Sequence, residues 1–236
     1  MNLSAKLLTE LVGTFIFLSV IALFPGTGPA APLAPLAIGS ALMVMVYMGG
    51  HVSGAHYNPA VSLGLFLRRK IDAVTLVAYW VAQLVGGALA FVVGYLVSGH
   101  TPGIHPGGGV FAISALVVEV LFTTALVLVV LNVAATRATE GNSFYGLAIG
   151  FTIVAAAFVG GPISGGAFNP AVGFGATLGS ALFAGGSWSD LWLYLLGPVL
   201  GGAIAAGIHY VQVTGVEGLE PLPAAPAVQE QQPERS

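Results

Sequence analysis

The chain has 236 residues, 56% of them hydrophobic and 6% charged, with net charge −3 and mean hydropathy +0.94. A soluble domain carries about a quarter charged residues, so this composition excludes a globule wrapped in water and makes lipid the natural solvent for most of the chain. Six Lys and Arg cannot make the basic stripe of a nucleic-acid binder, and the absence of cysteine excludes disulfides and thiolate chemistry.

Crossing the hydrocarbon core takes about 20 apolar residues in a helix. Taken in chain order, six segments qualify: 7–24, 33–50, 74–97, 112–134, 144–159 and 191–213. Lys6 followed by an apolar run, with Ala30 and Ala31 beyond it, also fits a secretory signal peptide, but Glu10 sits badly in an apolar leader core. Segment 7–24 is therefore read as structure.

Two further stretches, 51–67 and 160–183, are moderately apolar and broken by Gly and Pro. Irregular backbone at membrane depth must be buried in protein or line a wet cavity, so both are expected to re-enter the membrane without crossing it.

The basic residues are Lys6, Arg68, Arg69, Lys70, Arg137 and Arg235. With six spans and a cytoplasmic amino terminus, all six fall on the cytoplasmic side. Loops 25–32, 98–111 and 160–190 then face outward and hold none. The Pro-, Glu- and Gln-rich stretch 214–236 reads as a disordered cytoplasmic tail.

The two halves of the sequence match in order. Glu10-Leu-Val-Gly-Thr14 pairs with Glu119-Val-Leu-Phe-Thr123, an offset of 119 − 10 = 109. The stretch from Ser53 through Asn58-Pro59-Ala60-Val61 pairs with that from Ser164 through Asn169-Pro170-Ala171-Val172, an offset of 169 − 58 = 111. Tyr79 through Ala88 pairs with Tyr194 through Ala203, an offset of 194 − 79 = 115. Three spans per half is an odd number, so the second half inserts upside down relative to the first. The organisation expected is a first repeat over 1–111, an inverted second repeat over 112–213 and a tail over 214–236. The fold class is all-α membrane protein, with six transmembrane helices, two re-entrant half-helices and an inverted three-helix repeat. The pairs Gly86-Gly87 and Gly201-Gly202 would let helices approach closely, although single glycines are common in membrane helices.

Asn is a good N-cap and Pro suits the first helical position. Asn58-Pro59-Ala60 and Asn169-Pro170-Ala171 therefore each predict the start of a short helix, over 59–66 and 170–178. Each such end carries about half a positive charge from the backbone dipole. Two of them meeting at the midplane oppose cations and protons. With the caps held by backbone bonds, the Asn amide N–H groups are expected to be free to donate to a passing oxygen.

The paired loops resemble the signature loops of the aquaporin (major intrinsic protein) family. The Glu-x-x-x-Thr of the first and fourth spans and the Tyr-x-x-x-Gln and Tyr-x-x-Gly-Pro openings of the third and sixth fit it too. The resemblance covers residues 3–213. It implies a right-handed six-helix bundle, a homotetramer with one pore per subunit, lipid surroundings, passage of water or small neutral solutes such as glycerol or urea, and no cofactor.

One departure stands out. The family usually has Arg directly after the second Asn-Pro-Ala, and here the residue is Val172. By analogy with the family the other constriction positions fall at Gly166, Ala157 and Ile38. These four carry no charge, no side-chain donor and no ring, so the resemblance implies a wide constriction with apolar walls. It admits solutes larger than water, or else slows permeation by dewetting. Gly173 likewise replaces the polar or acidic residue usual at its position.

Glu10 and Glu119 are carboxylates inside spans, where charge is costly and commonly functional. Their symmetry favours a structural role, each accepting N–H bonds from the re-entrant loop of its own half, over a proton-transfer pair. His56, beside the first Asn-Pro-Ala, is expected to support its loop by packing and hydrogen bonding. No pair among His51, His56, His100, His105 and His209 has a metal-ligand spacing. A passive channel is the leading class. A secondary transporter also uses inverted repeats but needs a coupling site that only Glu10 and Glu119 could supply. An enzyme would need a nucleophile and base facing one cavity.

Overall fold

In the computed structural model, residues 2–24, 29 and 31–214 are described. Eight α-helices and two short 3-10 turns, with no strand, are found among them. In chain order the helices are α1 (Leu3–Leu23), α2 (Ala34–Ser53), α3 (Pro59–Leu67), α4 (Ala73–Ser98), α5 (Ala112–Ala134), α6 (Tyr145–Ser164), α7 (Pro170–Phe183) and α8 (Leu191–Thr214). The six long helices are long and apolar enough to cross a membrane. The short α3 and α7 fall within the two broken stretches. The tail expected over 214–236 lies outside the described residues, except that Thr214 closes α8; Arg235 lies outside them too.

The helix ends differ from the sequence expectation where caps decide them. α2 runs through His51 to Ser53 before Gly54 turns left-handed (φ +90°). α6 continues past Val159 to Ser164, with Pro162 in its last turn, before Gly165 does the same (φ +93°). Pro162 lies two residues before the helix end and removes only one intrahelical bond, so the helix outlasts the apolar run. α7 extends five residues beyond the predicted 178, to Phe183. α1 and α4 begin on side-chain caps: Asn2 accepts from Ala5 N at 2.9 Å and Asp72 from Thr75 N at 2.7 Å.

α1 packs on α4, α5 on α8 and α2 on α6, while each short helix packs on a long helix of the other half, α3 on α8 and α7 on α4. Glycine makes these crossings possible. A Cβ on Gly86 would lie 2.7 Å from the Leu11 carbonyl oxygen, and one on Gly201 2.7 Å from that of Val120. One residue on, a Cβ at Gly87 would lie 2.7 Å from the Ala171 carbonyl oxygen, and one at Gly202 2.7 Å from that of Ala60. Backbones this close leave no room for any side chain. The two Gly-Gly pairs thus hold each half-helix against the opposite half.

The ends of α3, α5 and α8 meet on one face. Arg68, the C-cap of α3, donates from Nε to His209 Nδ1 at 2.9 Å and lies over the Tyr210 ring. His209 Nε2 is 2.8 Å from the Thr136 hydroxyl at the end of α5. Arg68 and Arg137 therefore belong to the same end of the bundle.

Candidate functional site

The site forms where α3 and α7 point their N-termini at each other. Asn58 (φ −156°) and Asn169 (φ −159°) are extended, as a residue before proline prefers. Each side-chain oxygen caps its own helix: Asn58 Oδ1 accepts from Ala60 N at 2.8 Å and Asn169 Oδ1 from Ala171 N at 2.9 Å. Pro59 and Pro170 occupy first helical positions, where a missing N–H costs nothing.

The amide nitrogens correct the sequence expectation. Asn58 Nδ2 donates to the Phe168 carbonyl and Asn169 Nδ2 to the Tyr57 carbonyl, both at 2.9 Å. These bonds run crosswise, each Asn holding the residue that precedes the other Asn. A side-chain amide has two N–H groups, so one on each Asn is spent on joining the halves and one remains. Sequence spacing could not show this, because the partner is a backbone carbonyl over a hundred residues away.

The loops leading into α3 and α7 share one unusual conformation. Tyr57 and Phe168 both have φ +49°, a left-handed value that is rare for bulky residues. Each ring is seated in space left by glycine. Gly13 and Gly49 face the Tyr57 ring, and a Cβ on Gly160 would lie 2.7 Å from Phe168 Cζ. Strain of this kind persists only where surroundings over-determine it, and here the carboxylates do so. Glu10 accepts from Ser53 Oγ (2.6 Å), His56 N (2.9 Å), Tyr57 N (2.8 Å) and Gln83 Nε2 (2.8 Å). Glu119 accepts from Ser164 Oγ (2.7 Å), Ala167 N (3.0 Å) and Phe168 N (2.7 Å). Both carboxylates are fully buried, and among the described residues each bonds to its own half. Tyr79 and Tyr194 add matching braces, donating at 2.7 Å to the Ser53 and Ser164 carbonyls.

One cavity of about 540 Å³ passes both Asn side chains. It is bordered by α2 from Ala34 to Val46 and by α6 from Ile149 to Gly161, in each case about 18 Å of helix. Ile38, Ala157, Gly166 and Val172 all border it, as does His56. Val172 is buried, while Gly166 is left-handed at φ +72°. Sequence reasoning missed two parts of this wall. Gly161 borders the cavity with nothing within 4 Å of where a Cβ would be. Pro102, Gly103 and Ile104, in the loop before α5, also reach it. That loop is pinned to the end of α6 by Gly107 N donating to the Ile163 carbonyl at 3.0 Å, a contact with no signature in local periodicity.

The remaining candidates lie elsewhere. His105 is in the same loop with Nδ1 against the Pro106 carbonyl, and His100 is exposed beyond α4. No group of three or more His, Asp or Glu side chains able to hold a metal occurs among the described residues. Trp80 donates to the Pro59 carbonyl at 2.9 Å, holding the start of α3, whereas Trp188 and Trp192 are half exposed.

Comparison with known proteins agrees with this geometry. The profile of the family described as Major intrinsic protein matches residues 1–210. The chain is 35% identical over 232 aligned residues to "Probable aquaporin TIP2-2" of Oryza sativa subsp. japonica, covering 91% of each chain. It is 32% identical over 227 residues to "Aquaporin Z" of Photorhabdus laumondii, covering 86% of this chain and 95% of that one. In fold it resembles the X-ray structure of the aquaglyceroporin from Plasmodium falciparum, with TM-score 0.77, 20% identity, and coverage of 91% of this chain and 98% of that one. The chain therefore belongs to the major intrinsic protein family, and is a multi-pass membrane channel for water or small solutes and not an enzyme.

Proposed function

We propose that the cavity is the conduction path, and that it passes water together with uncharged solutes the size of glycerol or urea. Ile38, Ala157, Gly166 and Val172 form its narrow part. The observation that carries this reading is that all four border one cavity and none offers a charge or a side-chain donor. Without an Arg at position 172 the wall does not fill its own lumen, and selection rests on size. Ion exclusion falls to the facing N-termini of α3 and α7, with their partial positive charge, and to the one free N–H on each Asn.

The same reading takes residues 1–111 and 112–213 as the two inverted repeats, with Glu10, Glu119 and His56 holding the re-entrant loops. It places both termini in the cytoplasm, since Lys6, Arg68, Arg69, Lys70 and Arg137 then share that side. A homotetramer in the cell membrane completes it.

The test is stopped-flow light scattering on proteoliposomes, first with an impermeant osmolyte and then with glycerol or urea. Fast shrinkage followed by fast re-swelling is the expected result. Fast shrinkage without re-swelling would leave a water-selective channel and defeat the wide-pore reading.

A further inference from the structure

Arg68, Arg69 and Lys70 follow α3 in sequence but are used differently. Arg68 is held at the bundle by His209 and the Tyr210 ring. Arg69 and Lys70 are exposed, and neither side chain has a hydrogen-bond or ion-pair partner among the described residues. The turn that carries them is specific. Lys70 N donates to the Leu65 carbonyl at 2.9 Å and Arg69 N to the Phe66 carbonyl at 2.8 Å, the paired bonds of a Schellman helix end. Such a turn needs a left-handed residue, and here it is Arg69, at φ +56°. Glycine takes this conformation at no steric cost, and the turn after α7 uses one: Gly185 has φ +67°. The chain thus keeps a strained arginine where glycine would serve the turn. Strain retained in this way points to a task for the side chain.

Arg69, Lys70 and Asp72 border an open groove of about 510 Å³ whose other walls, Phe66, Leu67 and Ile71, are apolar. Asp72 is occupied as a cap: its Oδ1 accepts from Thr75 N at 2.7 Å. The hydrogen bonds from Thr75 hold its carboxyl below the usual carboxylate range, and the charge of Lys6, on α1, adds to the effect. Lys6 is therefore close by, and three basic side chains gather around one acid. The groove lies at headgroup depth. α3 starts where the two half-helices face each other and runs nine residues, about 13 Å of helix, close to half of the roughly 30 Å hydrocarbon core. Beyond the groove, Val74, Val77, Val81 and Val85 form one exposed stripe along α4, about 16 Å long.

We propose that this groove binds the phosphate of an anionic phospholipid, with Arg69 and Lys70 on the headgroup and the α4 valine stripe against an acyl chain. The positive charge selects an anion, and the apolar walls leading onto the stripe select a lipid over a free anion. The site is one-sided. The loop after α7, residues 184–190, has no basic residue and ends on Asp190. With the second half inverted, that loop faces the other leaflet. The protein therefore offers its headgroup site to the cytoplasmic leaflet, where anionic lipids gather. The assignment to a leaflet rests on the orientation proposed above. The site itself does not, and it is independent of conduction.

The chain has no cysteine, so Val77→Cys alone takes a bimane fluorophore on the stripe. Trp192→Cys, its counterpart through the offset of 115, is the control. Each labelled full-length protein is placed in phosphatidylcholine vesicles, the same in both leaflets, with brominated phosphatidylglycerol or brominated phosphatidylcholine as quencher. The label at position 77 is expected to prefer phosphatidylglycerol about three- to tenfold, the scale of one or two basic residues at a membrane surface, and the label at 192 to show no preference. Arg69→Gly should lose most of the preference yet melt no lower than the unsubstituted protein in neutral detergent, because glycine suits the turn. Lys70→Gln should lose part of it. Arg137→Gln removes the same charge from the same end of the bundle and should leave the preference intact. No preference at position 77 overturns the site. An equal loss in Arg69→Gly and Arg137→Gln overturns it too, leaving only a diffuse field, and so does a lower melting temperature in Arg69→Gly, which would give Arg69 a structural task instead. Abolition of the preference by inorganic phosphate, against chloride at equal ionic strength, overturns the lipid as occupant in favour of a soluble anion.

Discussion

The two re-entrant loops reach the same shape by different means. Gly54 and Gly165 turn at φ +90° and +93°, Ala55 and Gly166 follow at +52° and +72°, and Tyr57 and Phe168 share +49°. The first loop is braced by polar side chains, with Trp80 on Pro59, Gln83 on Glu10 and Ser62, and His56 on Ser62. The corresponding residues of the second half are Leu195, Pro198, Gly173 and Ala167, and none of them has a side chain able to make these bonds. In their place is close packing, with Gly173 set directly against the Tyr194 side chain. What both loops keep is the buried carboxylate, the serine and the tyrosine. Those three fix the conformation, and the polar brace is an addition to it.

The largest way to break this comparison is to remove the carboxylates. Glu10→Ala and Glu119→Ala each leave two buried backbone N–H groups with no acceptor. The expected loss is about 3–5 kcal/mol, the scale of breaking a buried charged network. The effect should be greater at Glu10, which serves four donors where Glu119 serves three. Thermal unfolding in detergent measures both. An equal loss would mean that Gln83 contributes nothing to the first loop.

An exchange of small residues comes next. Gly173→Ser writes the first half's residue into the second and drives a Cβ into the Tyr194 side chain. Overpacking of this kind costs about 1–3 kcal/mol. The reverse change, Ser62→Gly, removes hydrogen bonds and adds backbone freedom without a collision, for about 1–2 kcal/mol. If Gly173→Ser melted like the wild type, the second loop would have room that the packing denies. In this chain the Tyr194 side chain occupies the space that a side chain at position 173 would need.

Much of this was legible in the sequence, for reasons that can be named. Apolar length gave the six spans, and Asn-Pro gave two helix starts correct to the residue. The repeat of Glu10 and Glu119 pointed to their loop partners before any contact was known. What escaped were facts that only chain crossing creates. The amide of Asn58 reaches a carbonyl across the symmetry axis at Phe168. The loop around Ile104 folds onto the end of α6. Helix ends at Ser53 and Ser164 were missed because a left-handed glycine, and not the apolar run, terminates them.

The smallest expected change in stability carries the sharpest functional reading. Gly50 and Gly161 correspond through the offset of 111, yet a Cβ on Gly50 would lie 3.3 Å from the Tyr145 ring while one on Gly161 would meet nothing within 4 Å. The first position is filled by protein and the second opens on the cavity. Gly161→Val should therefore shift stability by no more than about 0.5 kcal/mol, as for a substitution that touches nothing, while placing an apolar branch beside Gly166 and one turn from Ala157. If size sets selection, re-swelling with glycerol or urea falls severalfold while water flux falls less, and the wide-pore reading gains its dimension. If water and solute fall together, the added branch has dried the path, and wetting sets the rate more than width. If neither moves, the space beside Gly161 is a side pocket and the narrow part lies closer to Ile38.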